Sequence, residues 1–189
     1  MMRVGILGGT FNPPHIGHLI LAESVRVFLR LDKVVFIPCN IPPHKSKSYL
    51  PEAYIRLKML RLALRQCPFF EADDCEIRRQ GISYTVDTLR QLKKKNPHYK
   101  LFLLIGSDLL NEFNQWKEPQ AIRKLAKIVI VLRKVIKKKE KGFIFFEMPK
   151  IDISSSFIRQ RIKKSKSIRY LVPRDVELYI KKLSLYRKG

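Results

Sequence analysis

Short β-rich runs alternate with amphipathic helical ones along the chain, which predicts an α/β fold, a doubly wound parallel sheet covered by helices. The run Val34–Pro38 is apolar throughout, as expected of a strand whose two faces are both covered. With 189 residues, 46% of them hydrophobic, the chain is long enough to bury a substantial core and too apolar to stay disordered. Neither a repeat nor a linker interrupts it, so residues 1–189 are read as a single domain with C-terminal helices.

Val4–Leu7 is the first strand and Ile16–Arg30 the first helix, with Glu23, Arg26 and Arg30 on one polar stripe and the rest largely apolar and buried. Val34–Pro38 is the second strand. A polar loop, Asn40–Leu50, precedes a helix near Pro51–Gln66 that carries proline at its start. Glu71–Arg79 reads as a strand, Tyr84–Lys95 as a helix and Leu101–Ile105 as a central strand, closed by Gly106-Ser107-Asp108, which opens another helix. Ile128–Leu132 and Phe143–Phe146 are further strands on either side of a lysine-rich loop. Helices near Ser154–Lys164 and Pro173–Leu185 end the chain; the second carries Val176, Tyr179, Ile180 and Leu183 at helical spacing.

Lys and Arg outnumber Asp and Glu by 39 to 16, a formal net charge of +23. Such a charge attracts polyanions. The lysines cluster, however, where helices or loops should face water (Lys93-Lys94-Lys95, Lys137-Lys138-Lys139, Lys163-Lys164), without interleaved aromatics to stack on bases. The charge is therefore read as a solvated surface rather than a nucleic-acid site. No apolar run reaches membrane-spanning length, and Arg3 is followed at once by a glycine-punctuated strand, unlike a signal peptide. Cys39, Cys67 and Cys75 are odd in number, widely spaced and free of any C-x-x-C pattern, as expected of reduced thiols in a cytoplasmic protein.

The chemistry concentrates in Gly8-Gly9-Thr10-Phe11-Asn12-Pro13-Pro14-His15-Ile16-Gly17-His18. A strand, a glycine turn and a helix N-terminus form an anion site, and two imidazoles on one helical face add donors to it. His15 and His18 also read as a half-buried capping pair, or as a zinc pair completed by His44. A capping pair needs no Gly-Gly turn, and Asn12 is a poor zinc ligand, so phosphate binding is the reading adopted. Neither G-x-x-x-x-G-K-[ST] nor G-x-G-x-x-G is present, which sets aside P-loop and ordinary dinucleotide chemistry. Three more polar segments, Asn40–Lys47, Gly106–Asp108 and Ile153–Arg159, fall at strand ends or open a helix, where they can converge on one ligand.

Gly8–His18 resembles the signature of the nucleotidyltransferase superfamily, usually (G)GTFDPxHxGH, and Ile153-Ser154-Ser155-Ser156-Phe157-Ile158-Arg159 resembles its second signature, I-S-S-T-x-I-R. Pro43-His44-Lys45, Ser83-Tyr84-Thr85-Val86-Asp87-Thr88-Leu89, Gly106-Ser107-Asp108 and Trp116 fall in the order seen in bacterial nicotinate-nucleotide adenylyltransferases. The resemblance spans essentially the whole chain. It implies a Rossmann-like fold and the reaction of ATP with nicotinate mononucleotide to give deamido-NAD and pyrophosphate, a step in NAD biosynthesis.

By the same resemblance His15, His18 and Arg159 are the catalytic residues, donating to the phosphates as charge develops. ATP is bound by Gly8, Gly9, Thr10 and Phe11, by His15 and His18, by Gly106 and Asp108, and by Ser155, Ser156 and Arg159. Lys45, Thr85, Asp108, Trp116, Lys117 and Arg133 hold the acceptor, backbone N–H groups near Thr85 and Lys117 favouring the nicotinate carboxylate over an amide. Trp116 reads either as a half-buried surface anchor or as a platform for the nicotinate ring. Asp108 reads as a ribose ligand or a helix N-cap, and Arg133 as a phosphate ligand or a plain surface arginine. Magnesium rides in on ATP, with no dedicated protein cage. The chain is expected to work as a monomer or small homo-oligomer without membrane or nucleic-acid partners. Asn12 replaces the usual Asp, Ser156 replaces the usual Thr, and Lys134–Gly142 matches no motif of the family. Other acceptors, nicotinamide mononucleotide or phosphopantetheine, are the nearest alternative, with a noncatalytic nucleic-acid-binding protein further off.

Overall fold

In the computed structural model, which describes residues 1–42, 50–132, 141–149 and 151–187, six strands form one parallel sheet: β1 (Arg3–Gly9), β2 (Lys33–Pro38), β3 (Phe70–Ala72), β4 (Lys100–Gly106), β5 (Ala126–Leu132) and β6 (Phe143–Glu147). Their order is β3-β2-β1-β4-β5-β6, so the winding reverses between β1 and β4. At that reversal the connections leave in opposite directions and open a crevice beyond the carboxyl ends of the strands. Strand alternation explains why both faces are covered. Val4, Ile6, Val35, Ile37, Leu101, Leu103 and Ile105 face one core with α4 (Thr85–Lys95) and α5 (Pro119–Leu125). Leu7, Val34, Phe36, Phe102 and Leu104 face the other, with α1 (Ile16–Phe28) and α2 (Ala53–Leu64).

A third apolar cluster joins the back of α2, through Met59 and Ala63, to α6 (Ser155–Lys163) and α7 (Arg174–Lys182), through Ile158, Val176 and Ile180. That packing carries the start of α6 to the mouth of β1. No helix among the described residues is long and apolar enough to cross a membrane.

Most elements fall where the periodicity places them. The stretch Glu71–Arg79 does not: β3 stops at Ala72, and Cys75–Arg79 is a short helix, α3. Asp73 causes the switch, because its side chain accepts the N–H of Cys75 at 2.8 Å and turns the chain. Gly106-Ser107-Asp108 opens a 3-10 turn, Ser107–Leu109, rather than an α-helix; a second such turn, Phe113–Gln115, follows before α5. On α1 only Leu21, Ala22 and Val25 are buried; Ile20 is exposed in mid-helix, and Val27 and Phe28 are exposed where the helix ends and Arg30 turns the chain with a positive φ of 47°. Leu183 at the end of α7 is likewise exposed.

Candidate active site

The turn after β1 lies at the switch point. Phe11 takes a positive φ of 47°, a conformation that a bulky residue holds only when its surroundings fix it. Its ring is buried against Phe36 and lies edge-on to His18 at 5.1 Å, and a β-carbon on Gly9 would press on that ring at 3.2 Å. A β-carbon on Gly17 would approach Nδ1 of His15 at 3.1 Å. These two glycines therefore make room for side chains of the turn.

His15 and His18 stack at 3.7 Å between ring centroids. The backbone N–H of His15 donates to Nδ1 of His18 at 3.1 Å. An accepting Nδ1 carries no proton, so the neutral imidazole of His18 carries its hydrogen on Nε2 and is a donor there. The first amides of α1 contribute less to an anion site than the helix start suggests. Ile16 N–H donates to the carbonyl of Leu171 at 3.0 Å, and His18 N–H to that of His15 at 2.9 Å. The two histidines thus also form the capping pair of the sequence reading, each side chain accepting the other's backbone N–H at the start of α1.

The second polar segment closes on the first. Ser154 caps α6 by accepting Phe157 N–H at 3.1 Å. One residue on, the Ser155 hydroxyl donates to Pro13 O at 2.8 Å, and Arg159 donates to Asn12 O at 2.8 Å and to the Ser156 hydroxyl at 3.2 Å. Two of the five guanidinium donors are spent in this way among the described residues.

Two residues of this region carry no sequence motif. Arg56, wholly buried on α2, donates to Thr10 O at 2.9 Å, Asn40 O at 3.0 Å and Pro51 O at 3.1 Å. None of the ion pairs among the described residues includes it. Carbonyl oxygens of the turn and of the segments beside it solvate this buried cation. The signal was present in the sequence, since Arg56, Met59, Leu60, Ala63 and Leu64 repeat at the spacing of one buried helical face. The other is Tyr186, whose hydroxyl donates to Oδ1 of Asn12 at 2.7 Å; nothing in its local pattern marks it.

On the other side of the crevice, Asp108 is exposed inside the turn Ser107–Leu109, whose N-cap is Gly106, so it is not itself a cap. A β-carbon on Gly106 would collide with its carboxylate. Trp116 is half-buried, its ring 5.4 Å from Phe113. Lys117 reaches the start of α4, pairing with Asp87 at 3.0 Å and lying 4.7 Å from the Tyr84 ring centroid. Thr85, the first residue of α4, is half-buried. Below, Thr88 donates to the buried Glu76 at 2.6 Å, and Asn40 N–H to the Ser83 hydroxyl at 2.9 Å. Burial pushes the Glu76 carboxyl above its usual range, against hydrogen bonds from Thr88 and Ser83. Burial also pushes Cys75 up to about 12 and raises Cys39, so both stay thiols. Lys45, Arg133 and His44 lie outside the described residues.

Residues 6–161 match the cytidylyltransferase-like family. This chain belongs to that family. Its full-length relatives include a probable nicotinate-nucleotide adenylyltransferase of Borrelia garinii subsp. bavariensis, 44% identical over 99% of this chain and 96% of that one. Another, of the same name, comes from Desulfitobacterium hafniense strain Y51, 40% identical over 98% of this chain and 96% of that one. The same fold occurs in the Plasmodium falciparum nicotinic acid mononucleotide adenylyltransferase solved with NaAD, at TM-score 0.83 and 22% identity, over 100% of this chain and 99% of that one.

As in any cytidylyltransferase-like protein that handles a nucleoside triphosphate, a divalent cation must be reckoned with. The donors gathered here are imidazole, guanidinium and amide, groups that suit anions. Among the described residues there is no group of three or more His, Cys, Asp or Glu able to hold a metal. These donors suit phosphate oxygens rather than a cation.

Proposed function

We propose that the chain transfers the adenylyl group of ATP to nicotinate mononucleotide, forming deamido-NAD and releasing pyrophosphate. The observation that carries this reading is the joining of Gly8–His18 to Ser154–Arg159 through Pro13–Ser155 and Asn12–Arg159 around the stacked histidines. The names of the full-length relatives point to the same acceptor.

A phosphate oxygen of nicotinate mononucleotide attacks the α-phosphorus in line. The bond from that phosphorus to the bridging oxygen breaks, and pyrophosphate leaves with the electron pair. The nucleophile is already an anion, so no base is needed, and catalysis is positioning plus charge neutralisation. His18 donates from Nε2, His15 beside it lines the same phosphates, and Arg159 turns its remaining donors to the β- and γ-phosphates alongside Ser155 and Ser156. Gly8, Gly9, Thr10 and Phe11 supply the turn, with Gly106 and Asp108 across the crevice. Magnesium, when bound on the ATP phosphates, supplies further charge neutralisation. Trp116 stacks on the nicotinate ring, backbone N–H groups near Thr85 and Lys117 take its carboxylate, Asp108 takes ribose hydroxyls, and Lys45 and Arg133 complete the acceptor side. The C-terminal helices belong to the same working unit, since Arg159 and Tyr186 both reach Asn12; residues 1–189 act as one nucleotidyltransferase domain.

The test is pyrophosphate release from ATP with nicotinate mononucleotide, nicotinamide mononucleotide and phosphopantetheine in parallel. The first should be strongly preferred. Equal rates with the amide would refute the carboxylate pocket, and no turnover with any of the three would refute the reaction.

A further inference from the structure

Near its C-terminus the chain takes a costly path back to the first turn. Beyond α7, Ser184 and Tyr186 both adopt positive φ, 48° and 66°, without a glycine. Each such residue costs about 1 kcal/mol or more and persists only where the surroundings hold it. Here Ser184 N–H donates to Lys181 O at 3.1 Å, Leu185 N–H to Ile180 O at 3.0 Å, and the Tyr186 ring, 4% exposed, fills the cluster between α2, α6 and α7. Besides burying the ring, that path brings the hydroxyl to Oδ1 of Asn12, to which it donates at 2.7 Å.

Asn12 is itself 7% exposed and lies three residues before His15. Its main-chain oxygen is held by Arg159 and its side-chain oxygen by Tyr186. On either side, Thr10 O is held by Arg56 and Pro13 O by Ser155. We propose that Tyr186 is a positioning residue for adenylyl transfer: its hydroxyl fixes the Asn12 carboxamide, and through it the turn that presents His15 and His18 to the phosphates. The proposal rests on the reaction assigned above. It also gives Asn12 a role that needs only an acceptor oxygen, which an Asp at this position would supply equally. Burial holds the tyrosine hydroxyl well above its ordinary pKa, so it remains a donor through the neutral range.

Tyr186→Phe keeps the ring and deletes the donor, leaving Oδ1 of Asn12 buried without it. We expect kcat to fall about 10-fold and the affinity for ATP, measured by calorimetric titration, about 5-fold, because the turn loses its register by a fraction of an ångström. Ile180→Val trims the same apolar cluster without touching the turn and should lower Tm with kcat unchanged. Asn12→Ala and the double variant Asn12→Ala/Tyr186→Phe should be equally impaired, because both break one contact. A Tyr186→Phe protein that lost Tm as Ile180→Val does, with kcat and ATP affinity both within twofold of the parent, would overturn the proposal. If the parent released no pyrophosphate with nicotinate mononucleotide, the assigned reaction would fail; ATP affinity alone would then decide the role of Tyr186.

Discussion

The side of the crevice assigned to the phosphates is held by part-buried and buried hydrogen bonds to one turn, whereas the side assigned to the acceptor sets water-exposed ion pairs above one buried hydrogen bond, Thr88–Glu76. On the first, Arg56, Ser155, Arg159 and Tyr186 fasten Thr10, Asn12 and Pro13 of one turn from elements distant in sequence, Asn12 by both its main-chain and side-chain oxygens. On the second, Lys117–Asp87 and Arg90–Glu118 tie the segment after β4 to α4 through partly exposed side chains. Water screens such pairs, and each contributes little. The difference suits the division of labour: transition-state charge needs donors that do not reorganise, whereas an acceptor must enter and leave.

The largest effect should follow from His18→Ala, with kcat down on the order of 100-fold or more; unimpaired turnover would remove His18 from the mechanism. Arg56→Met removes the donor from three part-buried carbonyls and should cost about 2 kcal/mol, read as a lower denaturant midpoint at constant slope. A midpoint unchanged from the parent would show that the turn is not held from below. Gly106→Ala forces the Asp108 carboxylate aside and should lower kcat/KM roughly 5-fold; kinetics identical to the parent would show that Asp108 needs no fixed position.

Glu76→Gln probes the buried support under the acceptor side. Because folding raises its pKa, the native state holds its proton more tightly than the unfolded chain. The associated stability is complete below the ordinary carboxylate value of about 4.3 and is lost as pH rises through the raised value. Glu177, lowered by Lys181 and Arg174, acts in the opposite sense, its contribution being lost on acidification. The parent-minus-variant difference in unfolding free energy should therefore fall with rising pH; a flat difference would show that Glu76 is not strained. The smallest effect belongs to Asp87→Ala, under about 1 kcal/mol, and a larger drop in Tm would mean the acceptor side is as firmly built as the phosphate side.

Sequence pattern reaches far into this molecule where chain-local physics decides. The glycine turn, the apolar strands and the hydroxyl-rich start of α6 are set by neighbours a few residues away, and they stand where the pattern places them. Glu71–Arg79 reads as a strand because its charges mask a turn that depends on one Asp73 side chain. Arg56 was legible as a charge on an apolar helical face but not as a clamp, since its partners are backbone oxygens that only the fold assembles. Tyr186 was not legible at all: its partner lies 174 residues away. The same reasoning explains Asn12, whose departure from the superfamily pattern loses a charge but keeps the oxygen that Tyr186 addresses.

The division between the two sides is tested most directly by steady-state kinetics of His18→Ala and Trp116→Ala, with ATP and nicotinate mononucleotide each varied. His18→Ala should lower kcat on the order of 100-fold with KM for nicotinate mononucleotide within about twofold, while Trp116→Ala should raise that KM about 10-fold and spare kcat. Both substitutions acting on the same constant by similar factors would contradict that division.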